Sequence, residues 1–383
     1  MDDNGRSGVI PEDPSPIRRE GPIRDILAGA PAWLSGGGQH ADVVLSSRVR
    51  LARNIAGFNF VARSDSQERI AVLNLVRKNL TKSGIVSEDG KGSCWLDVAG
   101  LDGYSREALT ERQIISRQHA KGQRIADIEG GKDPRAVIVF RPGERVSIMV
   151  NEEDHLRMHA IQPGLMLQEA LAEISKVDDQ IENSLEYAFS SRFGYLTACP
   201  TNVGTGLRVS VMMHLPALRI LGEIEKVKRA SSDMSLALRG FWGEGSEADG
   251  DFYQLSNQTT LGKSEEILLS ELQGSIVPRV IEFERKAREK LLNQRRMFTE
   301  DLVYRSLGVL THARRLTAPE AMTRLSEIRL GAALGLLQSP DTETINRLLL
   351  LVHPAHLQHA TGRMLPPGER KNARATLMRE MLG

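Results

Sequence analysis

The sequence predicts an α+β fold, with an antiparallel β-sheet flanked by helices and followed by an all-α C-terminal domain. The first observation is a pair of apolar runs, 136–140 and 146–150, separated by Arg-Pro-Gly-Glu at 141–144. Two strand-like runs joined by a Pro-Gly turn are typical of a β-hairpin, whose strands pair antiparallel. The second observation is that strand-like runs stop near residue 290, whereas the segment to 383 shows helical runs separated by prolines.

Apolar spacing predicts the remaining elements in chain order. Four apolar residues between Ile70 and Leu80 recur at helical spacing, which predicts a helix over 66–82. The second strand of the hairpin ends in the polar run 151–155 and therefore delivers those side chains to its end. The other predicted elements are a helix over 165–188, a strand over 207–215, a helix from Pro216 to about Ser231, a strand near 236–238 and a helix over 263–292.

Composition divides the chain into three parts. Residues 1–30 are rich in Asp, Gly, Pro and Arg, and such a segment buries too little apolar surface to offset its ordering entropy. We therefore expect a flexible N-terminal tail over 1–30, a sheet-containing domain over 31–290 and a helical domain over 291–383. The apolar run from Leu348 to Val352 exceeds what so short a domain can bury alone, which predicts a dimer contact.

The composition also excludes some classes of protein. The 383-residue chain is 40% hydrophobic and 26% charged, with a formal net charge of +1, which argues against a bulk electrostatic contact with nucleic acid. The two cysteines, Cys94 and Cys199, cannot form a disulfide framework and fit a reducing cytoplasm. Since no apolar run could span a bilayer and the N-terminus lacks a signal-peptide core, we expect a cytoplasmic protein without a membrane partner.

The run from Cys199 to Arg208 (Cys-Pro-Thr-Asn-Val-Gly-Thr-Gly-Leu-Arg) combines a thiol, two glycines and an arginine. Nearby cationic groups favour a thiolate, and glycines let the backbone approach a ligand closely, so the run indicates a site. The alternative is a small buried cysteine in a turn, because most free cysteines are buried and inert.

Three other blocks accompany this run. They are Ser-Ser-Arg-Val-Arg at 46–50, Asn-Glu-Glu-Asp-His-Leu-Arg at 151–157 and Arg-Gly-Phe-Trp-Gly-Glu at 239–244. With Arg-Val-Ser-Val-Met at 208–212, they resemble the catalytic signature of the phosphagen (guanidino) kinases, and the resemblance covers residues 33–290. Within that superfamily the chain resembles the bacterial protein arginine kinases of the McsB type. The resemblance implies an antiparallel sheet backed by helices, and an enzyme that uses ATP with Mg²⁺.

The resemblance places five arginines around the nucleotide phosphates, whose oxygens a planar guanidinium grips bidentately. Arg48 and Arg50 fit this role because side chains two apart on a strand point to one face. Gln113 stands where the family usually has a histidine that contacts the nucleotide, and it keeps a donor and an acceptor. The implied ATP-binding set is Ser46, Ser47, Arg48, Val49, Arg50, Gln113, Arg157, Arg208, Val209, Ser210, Val211, Met212, Arg239, Gly240, Phe241, Trp242, Gly243 and Glu244.

The acceptor side needs a base, because a protonated guanidinium is a poor nucleophile. Glu153 and Glu244 match the family's substrate-binding carboxylates, and Cys199 matches its active-site cysteine. The resemblance implies that these three residues are catalytic. Glu152 and Asp154 are interpreted as supporting residues that contact magnesium through water or hold the structure, and His155 as structural.

Two acceptor classes remain open, free small guanidines and arginine side chains of proteins. Enzymes of this superfamily that phosphorylate free creatine or arginine carry a helical domain before the Ser-Ser-Arg-Val-Arg block, whereas 45 residues precede Ser46 here. We therefore expect an open acceptor site and a protein arginine kinase. A phosphagen kinase for a free guanidino compound is the alternative, and a catalytically weak adaptor is a third hypothesis.

The resemblance also implies partners. In protein arginine kinases the C-terminal helical domain mediates dimerisation and recognises phosphoarginine through an Arg-Asp-x-x-Arg-Ala motif. Here the matching stretch begins at Arg370 and has Lys371 in place of the aspartate, so Arg370 and Arg374 either grip a phosphate or belong to an exposed basic helix. The implied partners are proteins with exposed arginines, an activator protein, the Clp ATPase machinery and a second copy of the chain.

Two weaker patterns point elsewhere. Gly-Lys-Ser at 262–264 resembles the end of a P-loop, but Asn257 stands where its first glycine should be. His353, His356 and His359 recur every third residue, but Pro354 between them favours a helix start over a metal site.

Overall fold

A computed structural model describes residues 22–87, 89–122, 133–241 and 249–383. Its centre is an eight-stranded sheet, in which every neighbouring pair is antiparallel, with the strand order β2-β3-β4-β5-β1-β8-β10-β9. This sheet confirms the predicted α+β class. The strands are β1 (Val44–Arg53), β2 (Ser93–Asp97), β3 (Ala136–Phe140), β4 (Val146–Val150), β5 (Leu156–Pro163), β8 (Leu207–His214), β9 (Leu236–Gly240) and β10 (Phe252–Asn257), and a separate hairpin pairs β6 (Phe189–Ser190) with β7 (Gly194–Tyr195).

Fourteen α-helices occur in the described residues. Several begin where side-chain caps predict, since Asp65, Ser116 and Thr317 each accept a hydrogen bond from a first-turn amide. None of the described helices is long and apolar enough to cross a membrane. The helices are α1 (Pro22–Leu27), α2 (Ser66–Lys82), α3 (Gly103–Glu111), α4 (Arg117–Lys121), α5 (Leu167–Glu182), α6 (Pro216–Ile220), α7 (Ile224–Asp233), α8 (Glu265–Leu269), α9 (Val277–Gln294), α10 (Arg296–His312), α11 (Ala318–Ala333), α12 (Thr342–Leu351), α13 (Pro354–Thr361) and α14 (Pro367–Leu382).

Four predicted segments differ from the structure. The helix predicted over 165–188 ends at Glu182. The helix predicted from Pro216 is two helices, α6 and α7, because Gly222 adopts a left-handed φ of 73° between them. The helix predicted over 263–292 is interrupted by a π-helical segment, Ser270–Ile276. The predicted tail extends too far, since α1 buries Ile26 and Leu27, while residues 1–21 lie outside the described part of the chain.

The two faces of the sheet differ in chemistry. On one face, Val49 and Leu51 of β1 join the main apolar core together with Ile174 of α5. Arg48 and Arg50 alternate with them along β1 and therefore point to the opposite face. This arginine face carries the polar residues that the sequence assigned to the nucleotide.

The helices after α9 cover part of the arginine face. Ile161 and Phe252 of the sheet pack in one core with Leu325 and Ile328 of α11. The buried guanidinium of Arg329 donates to the carbonyls of Ala41 and Asp42 at 2.8 and 3.2 Å. Leu348, Leu349, Leu350 and Val352 are buried within the chain, so this run does not supply the predicted dimer contact.

Candidate active site

A cavity of about 290 Å³ opens on the arginine face of the sheet, between β1, β5, β8, β9 and the segment 110–118. The strand register builds it, because Arg50 lies opposite Arg208 of β8 on one side and His159 of β5 on the other. Arg239 of β9 reaches the same face through its pairing with Gln254 of β10. The cavity is thus assembled from side chains that are far apart in sequence and adjacent across the sheet.

Positive charge dominates the lining. It contains six arginines and, among the described residues, a single carboxylate. Burial, then repulsion from Arg157, lowers the pKa of Arg48 to about 10, and burial, then repulsion from Arg208 and Arg48, lowers the pKa of Arg50. Clustered guanidinium groups in a concave site favour the binding of a polyanion such as a nucleoside triphosphate. The six arginines are Arg48, Arg50, Arg117, Arg157, Arg208 and Arg239.

The single carboxylate of the lining is Glu152. Its Oε2 lies 2.7 Å from Nη1 of Arg157, and its Oε1 accepts a hydrogen bond of 2.6 Å from the Ser116 hydroxyl. Burial would raise the pKa of Glu152, but Arg157 and Ser116 together lower it, so the carboxylate is held ionised. Glu152 therefore orients Arg157 on the cavity wall.

Gln113 contacts the predicted phosphate-binding set directly. Its Oε1 accepts a hydrogen bond from Nη2 of Arg48, and its φ of 61° turns the chain sharply after α3. Its Nε2 is buried and has no hydrogen-bond partner among the described residues. Gln113 thus presents an unused donor at the cavity.

His159 lies on the cavity wall between these arginines. Burial, then the charges of Arg48, Arg50 and Arg157, lowers its pKa far below the ordinary value, so the ring is neutral. A neutral imidazole allows the guanidinium groups to approach without adding a further positive charge.

The blocks of the motif separate into cavity residues and core residues. Ser47 donates to the Gly164 carbonyl at 2.7 Å, and Met212 packs in the core shared with the C-terminal helices. Trp242, Gly243 and Glu244 lie outside the described residues. The predicted nucleotide residues that do not line the cavity are Ser46, Ser47, Val49, Val209, Ser210, Val211, Met212 and Gly240, whereas Phe241 does line it.

Glu153 and Cys199 lie on two neighbouring loops outside this cavity. Asp154 joins the loops, because its Oδ1 accepts hydrogen bonds from the Ala198 amide at 2.7 Å and from Nδ2 of Asn54 at 2.6 Å. The Glu153 side chain is 39% exposed and its Oε2 lies 3.8 Å from Nη1 of Arg157. One carboxylate and one partly exposed thiol thus stand beside the arginine wall.

The environment of Glu153 suits a base. Burial, together with the neighbouring charges of Asp154 and Glu152, raises the pKa of Glu153, although Arg157 acts in the opposite direction. A carboxylate whose pKa is raised takes a proton more readily while it remains ionised near neutral pH. Cys199 contacts Oγ1 of Thr201 through its Sγ at 3.0 Å.

Two positioning residues were not predicted from the sequence. Asn54 ties β1 to the acceptor loops, since its Nδ2 also donates to the Leu196 carbonyl at 3.0 Å. Arg117 lines the cavity from the start of α4, and no pattern in the sequence marks it. His155 is structural, as interpreted, because its Nδ1 accepts from the Ile55 amide at 3.0 Å and its Nε2 lies 2.9 Å from the Asn59 carbonyl.

The side chains of the site that could coordinate a metal ion indicate how magnesium would bind. The described residues contain no cluster of three or more His, Cys, Asp or Glu that could hold a metal ion. Oδ1 of Asp154 accepts hydrogen bonds from Asn54 and Ala198. The carboxylate of Glu152 accepts hydrogen bonds from Arg157 and Ser116. These residues fit an ion that arrives on the nucleotide, since Mg²⁺ is usually bound through substrate phosphates and waters.

The arginines of α14, Arg370 and Arg374, do not form the exposed basic pair that was one of the two alternatives. Arg374 is 3% exposed and donates to the carbonyls of Val352 at 2.7 Å and Leu316 at 2.9 Å. Nε of Arg370 donates to the Leu365 carbonyl at 3.0 Å. Arg374 therefore clamps α14 to neighbouring segments and does not lie on an exposed basic helix.

Fold and site together define a class of enzyme. An antiparallel sheet presents arginines from four strands to one cavity, and a carboxylate and a thiol stand beside it. Solved structures share the fold, namely lombricine kinase (26% identity, TM-score 0.54, 67% of this chain and 71% of that chain) and the duplicated taurocyamine kinase of Schistosoma mansoni (24% identity, TM-score 0.55, 77% and 42%). The class is that of the guanidino phosphotransferases.

Sequence comparisons identify the family. Residues 72–287 match the catalytic domain of the ATP:guanido phosphotransferases, and residues 296–383 match the C-terminal domain of the protein-arginine kinase McsB. A protein-arginine kinase of Halothermothrix orenii is 41% identical over 350 residues, which are 91% of this chain and 96% of that protein. One from Moorella thermoacetica is 42% identical, with 91% and 97% covered. The chain belongs to the protein-arginine kinase family.

Proposed function

We propose that the chain is an ATP-dependent protein arginine kinase, which transfers the γ-phosphoryl group of ATP to the guanidinium of arginine side chains in proteins. The observation that carries this proposal is the cavity with six arginines beside the partly exposed side chains of Glu153 and Cys199. The arginines suit the phosphates, and the carboxylate suits a guanidinium acceptor. The names of the curated relatives support the same substrate class.

The cavity arginines would bind and neutralise the triphosphate. Phosphoryl transfer requires positioning and charge neutralisation more than covalent chemistry, and bidentate guanidinium groups provide both. Arg48 would be aligned by Gln113, and Arg157 by Glu152. A magnesium ion that arrives with the nucleotide would supply further neutralisation of the phosphate charge. Glu152, on the cavity wall, would accept hydrogen bonds from the waters of that ion.

The acceptor loops would hold the arginine substrate. Glu153 would orient the guanidinium and take its proton as the N–P bond forms, while the bond from phosphorus to the leaving ADP oxygen breaks. Glu244, outside the described residues, is the second carboxylate that we propose for this role. Cys199 would contact the acceptor guanidinium through its sulfur and stabilise its reactive orientation.

A free small guanidine is the second candidate acceptor. It is favoured by the likeness of the fold to lombricine and taurocyamine kinases. The exposure of Glu153 favours the protein acceptor, since a side chain presented by a polypeptide can reach it without entering a closed chamber.

The test is to incubate the purified chain with MgATP and either an unfolded protein or free arginine, and to detect acid-labile N–P phosphate. We expect labelled arginine residues in the protein and much weaker labelling of free arginine, because a protein gains contacts outside the pocket. Arg50→Ala is the matched control, which should lose labelling of both acceptors. Robust turnover of free arginine would favour the small-guanidine alternative instead.

Partners follow from the same proposal. We propose that the marked proteins are delivered to Clp-type proteolysis, that inactivation of repressors is a second outcome, that an activator protein assists, and that the enzyme acts in the cytoplasm. A homodimer is also proposed, through the exposed Met297, Phe298 and Tyr304 of α10, which are 85%, 52% and 55% exposed. Met297→Glu should shift a dimer to a monomer in sedimentation, and an unchanged mass would exclude this surface.

A further inference from the structure

Three apolar side chains stand exposed beside the acceptor loops. Phe189 and Phe193 belong to the β6–β7 hairpin and are 60% and 45% exposed, and Leu261 on the turn after β10 is 58% exposed. We call these three residues the hairpin patch. Isolated exposed apolar residues are ordinary on proteins, but several in one place mark an interaction surface.

The hairpin that carries the patch is anchored from below. The Tyr195 ring lies 5.3 Å from that of Phe189, and the Arg53 guanidinium lies 3.6 Å from the Tyr195 ring. Arg53 is itself buried in an ion pair of 2.6 Å with Asp178. Because this stack is fixed to β1 and α5, the hairpin is supported in a position where Phe189 remains exposed.

The patch is continuous with the loop that holds the thiol. The Tyr195 amide donates to the Gly204 carbonyl at 2.8 Å, which joins the hairpin to the segment after Cys199. Thr260 joins Leu261 to the same segment, since its hydroxyl donates to the Val203 carbonyl at 2.7 Å. Cys199, the hairpin and the 260 turn thus form one connected surface.

We propose that the hairpin patch docks a loosely folded polypeptide segment whose apolar side chains flank the acceptor arginine. This proposal rests on the proposed function and specifies its substrate class. The patch is an exposed surface with separate side chains and not a closed cavity, which suits an extended chain, and an extended chain advances about 3.3 Å per residue. Apolar residues a few positions from the arginine can therefore contact the patch while the arginine reaches Cys199.

This surface would favour substrate segments that are unfolded. In a folded protein the apolar neighbours of an arginine are mostly buried, whereas in an unfolded segment they are available to Phe189, Phe193 and Leu261. The patch would therefore favour arginines in damaged or loosely folded proteins over arginines on intact surfaces.

The experiment uses two synthetic peptides with one arginine each, one flanked by Leu and Phe and one by Ser and Gly. The full chain and the variants Phe193→Ser, Leu261→Ser and Phe189→Ser are compared in fluorescence anisotropy without nucleotide and in steady-state phosphorylation. Met234→Ser is the matched control, because Met234 is 44% exposed and follows α7 outside the patch. Each patch variant should raise Kd and KM for the apolar peptide about 10-fold, the size expected for one lost apolar contact.

The polar peptide should be unaffected in kcat and KM, and Met234→Ser should behave as the parent chain. An equal effect on both peptides, or an equal effect of Met234→Ser, would overturn the docking surface. A concentration-dependent mass that Phe193→Ser abolishes would assign the patch to a second copy and would also overturn it. If Phe189→Ser fails to fold, Phe193→Ser and Leu261→Ser carry the test.

The two readouts separate this inference from the proposed function. If the apolar peptide binds in a patch-dependent manner but neither peptide is phosphorylated, the docking surface stands and protein arginine phosphorylation fails. If both peptides are phosphorylated and bound equally well by every variant, the kinase assignment stands and the docking surface fails.

Discussion

Glu153 is a carboxylate whose surroundings set its chemistry. Burial and two acidic neighbours, Asp154 and Glu152, raise its pKa, so its ionised form is a better proton acceptor than an ordinary glutamate. Because the base must be ionised, the acidic limb of the rate should lie above the ordinary range of a glutamate and fall as pH drops through the raised pKa. We expect Glu153→Gln to lower kcat at least ~10²-fold, the usual size for a positioned acid–base group.

Steady-state rates between pH 4.5 and 9 measure both effects, and nucleotide affinity should change little because Glu153 is outside the cavity. Glu107→Gln is the control, because Glu107 on α3 also has a raised pKa and lies outside the cavity. Near-parental turnover of Glu153→Gln would remove Glu153 from the chemistry.

The two cysteines differ in setting and should differ in response. Cys199 is partly exposed beside the acceptor loop, whereas Cys94 is buried in β2 and burial raises its pKa. We expect Cys199→Ser to reduce kcat at least several-fold, and bound substrate to protect Cys199 from alkylation. Cys94→Ser should leave kcat close to that of the parent chain. Mass spectrometry of alkylated protein and steady-state rates test this, and equal sensitivity of both sites would count against a role for the thiol.

At single positions, the sequence predicts the direction of a side chain, because side chains alternate between the two faces of a strand. The Arg-x-Arg spacing correctly predicts that Arg48 and Arg50 share a face. The spacing cannot show that His159 lies opposite Arg50 or that Asp154 joins the Glu153 and Cys199 loops, because these contacts depend on strand register and loop closure. The resemblance implies a nucleotide role for Val49 and Val209 as members of motif blocks, whereas alternation sends these side chains into the apolar core.

Among the elements, α3 and α13 form a link between the C-terminal helices and the cavity. The carboxylate of Glu111 at the end of α3 accepts from the amides of Ala355 and His356 at 2.8 and 2.9 Å, and Nδ1 of His356 lies 2.6 Å away. Gln113, two residues later, holds Arg48. One short segment therefore caps α13 and positions the cavity wall.

Replacing Glu111 with alanine should weaken both the capping of α13 and the positioning of the cavity wall. Two buried amides at the start of α13 would lose their acceptor, and burial of unsatisfied donors costs about 1–3 kcal/mol each. We expect a lower free energy of unfolding and weaker nucleotide binding, measured by urea denaturation and by titration with ATP. Glu107→Ala on the same helix is the control. A loss of stability with unchanged nucleotide affinity would show that the cap does not reach the cavity.

Helices and strands were largely predictable where the apolar spacing and the Gly or Pro residues at the ends indicate the same element. The helix over 66–82 and the hairpin around 141–144 are confirmed, and α13 begins at Pro354 as predicted. The break between α6 and α7 was missed, because a lone Gly222 in an apolar helical pattern is tolerated as often as it interrupts. The strands β2, β5 and β10 carry weak patterns of their own and are assigned by their pairing.

Over the whole molecule, the sheet and the C-terminal helices share one core. Leu45, Ile161, Met212 and Phe252 of the sheet region are buried against residues of α10 to α12. Arg329 of α11 adds a buried contact, since it donates to the carbonyls of Ala41 and Asp42 at 2.8 and 3.2 Å. The composition shift near 290 therefore marks a change of secondary structure, and the helices after it pack on the sheet, a contact that no local pattern in the sequence could reveal.

This sharing predicts the effect of deleting the C-terminal helices. A chain that ends at Gln294 would expose those four sheet residues, at about 1.5–3 kcal/mol each, or about 6–12 kcal/mol together. Because the whole free energy of unfolding of a domain is about 5–15 kcal/mol, we expect the truncated chain to lack a cooperative urea transition. The buried Trp33 in the same core reports this by fluorescence. Lys371→Ala in the full chain is the control, and a truncated chain that unfolds cooperatively and binds ATP with unchanged affinity would show that the sheet folds without its C-terminal cover.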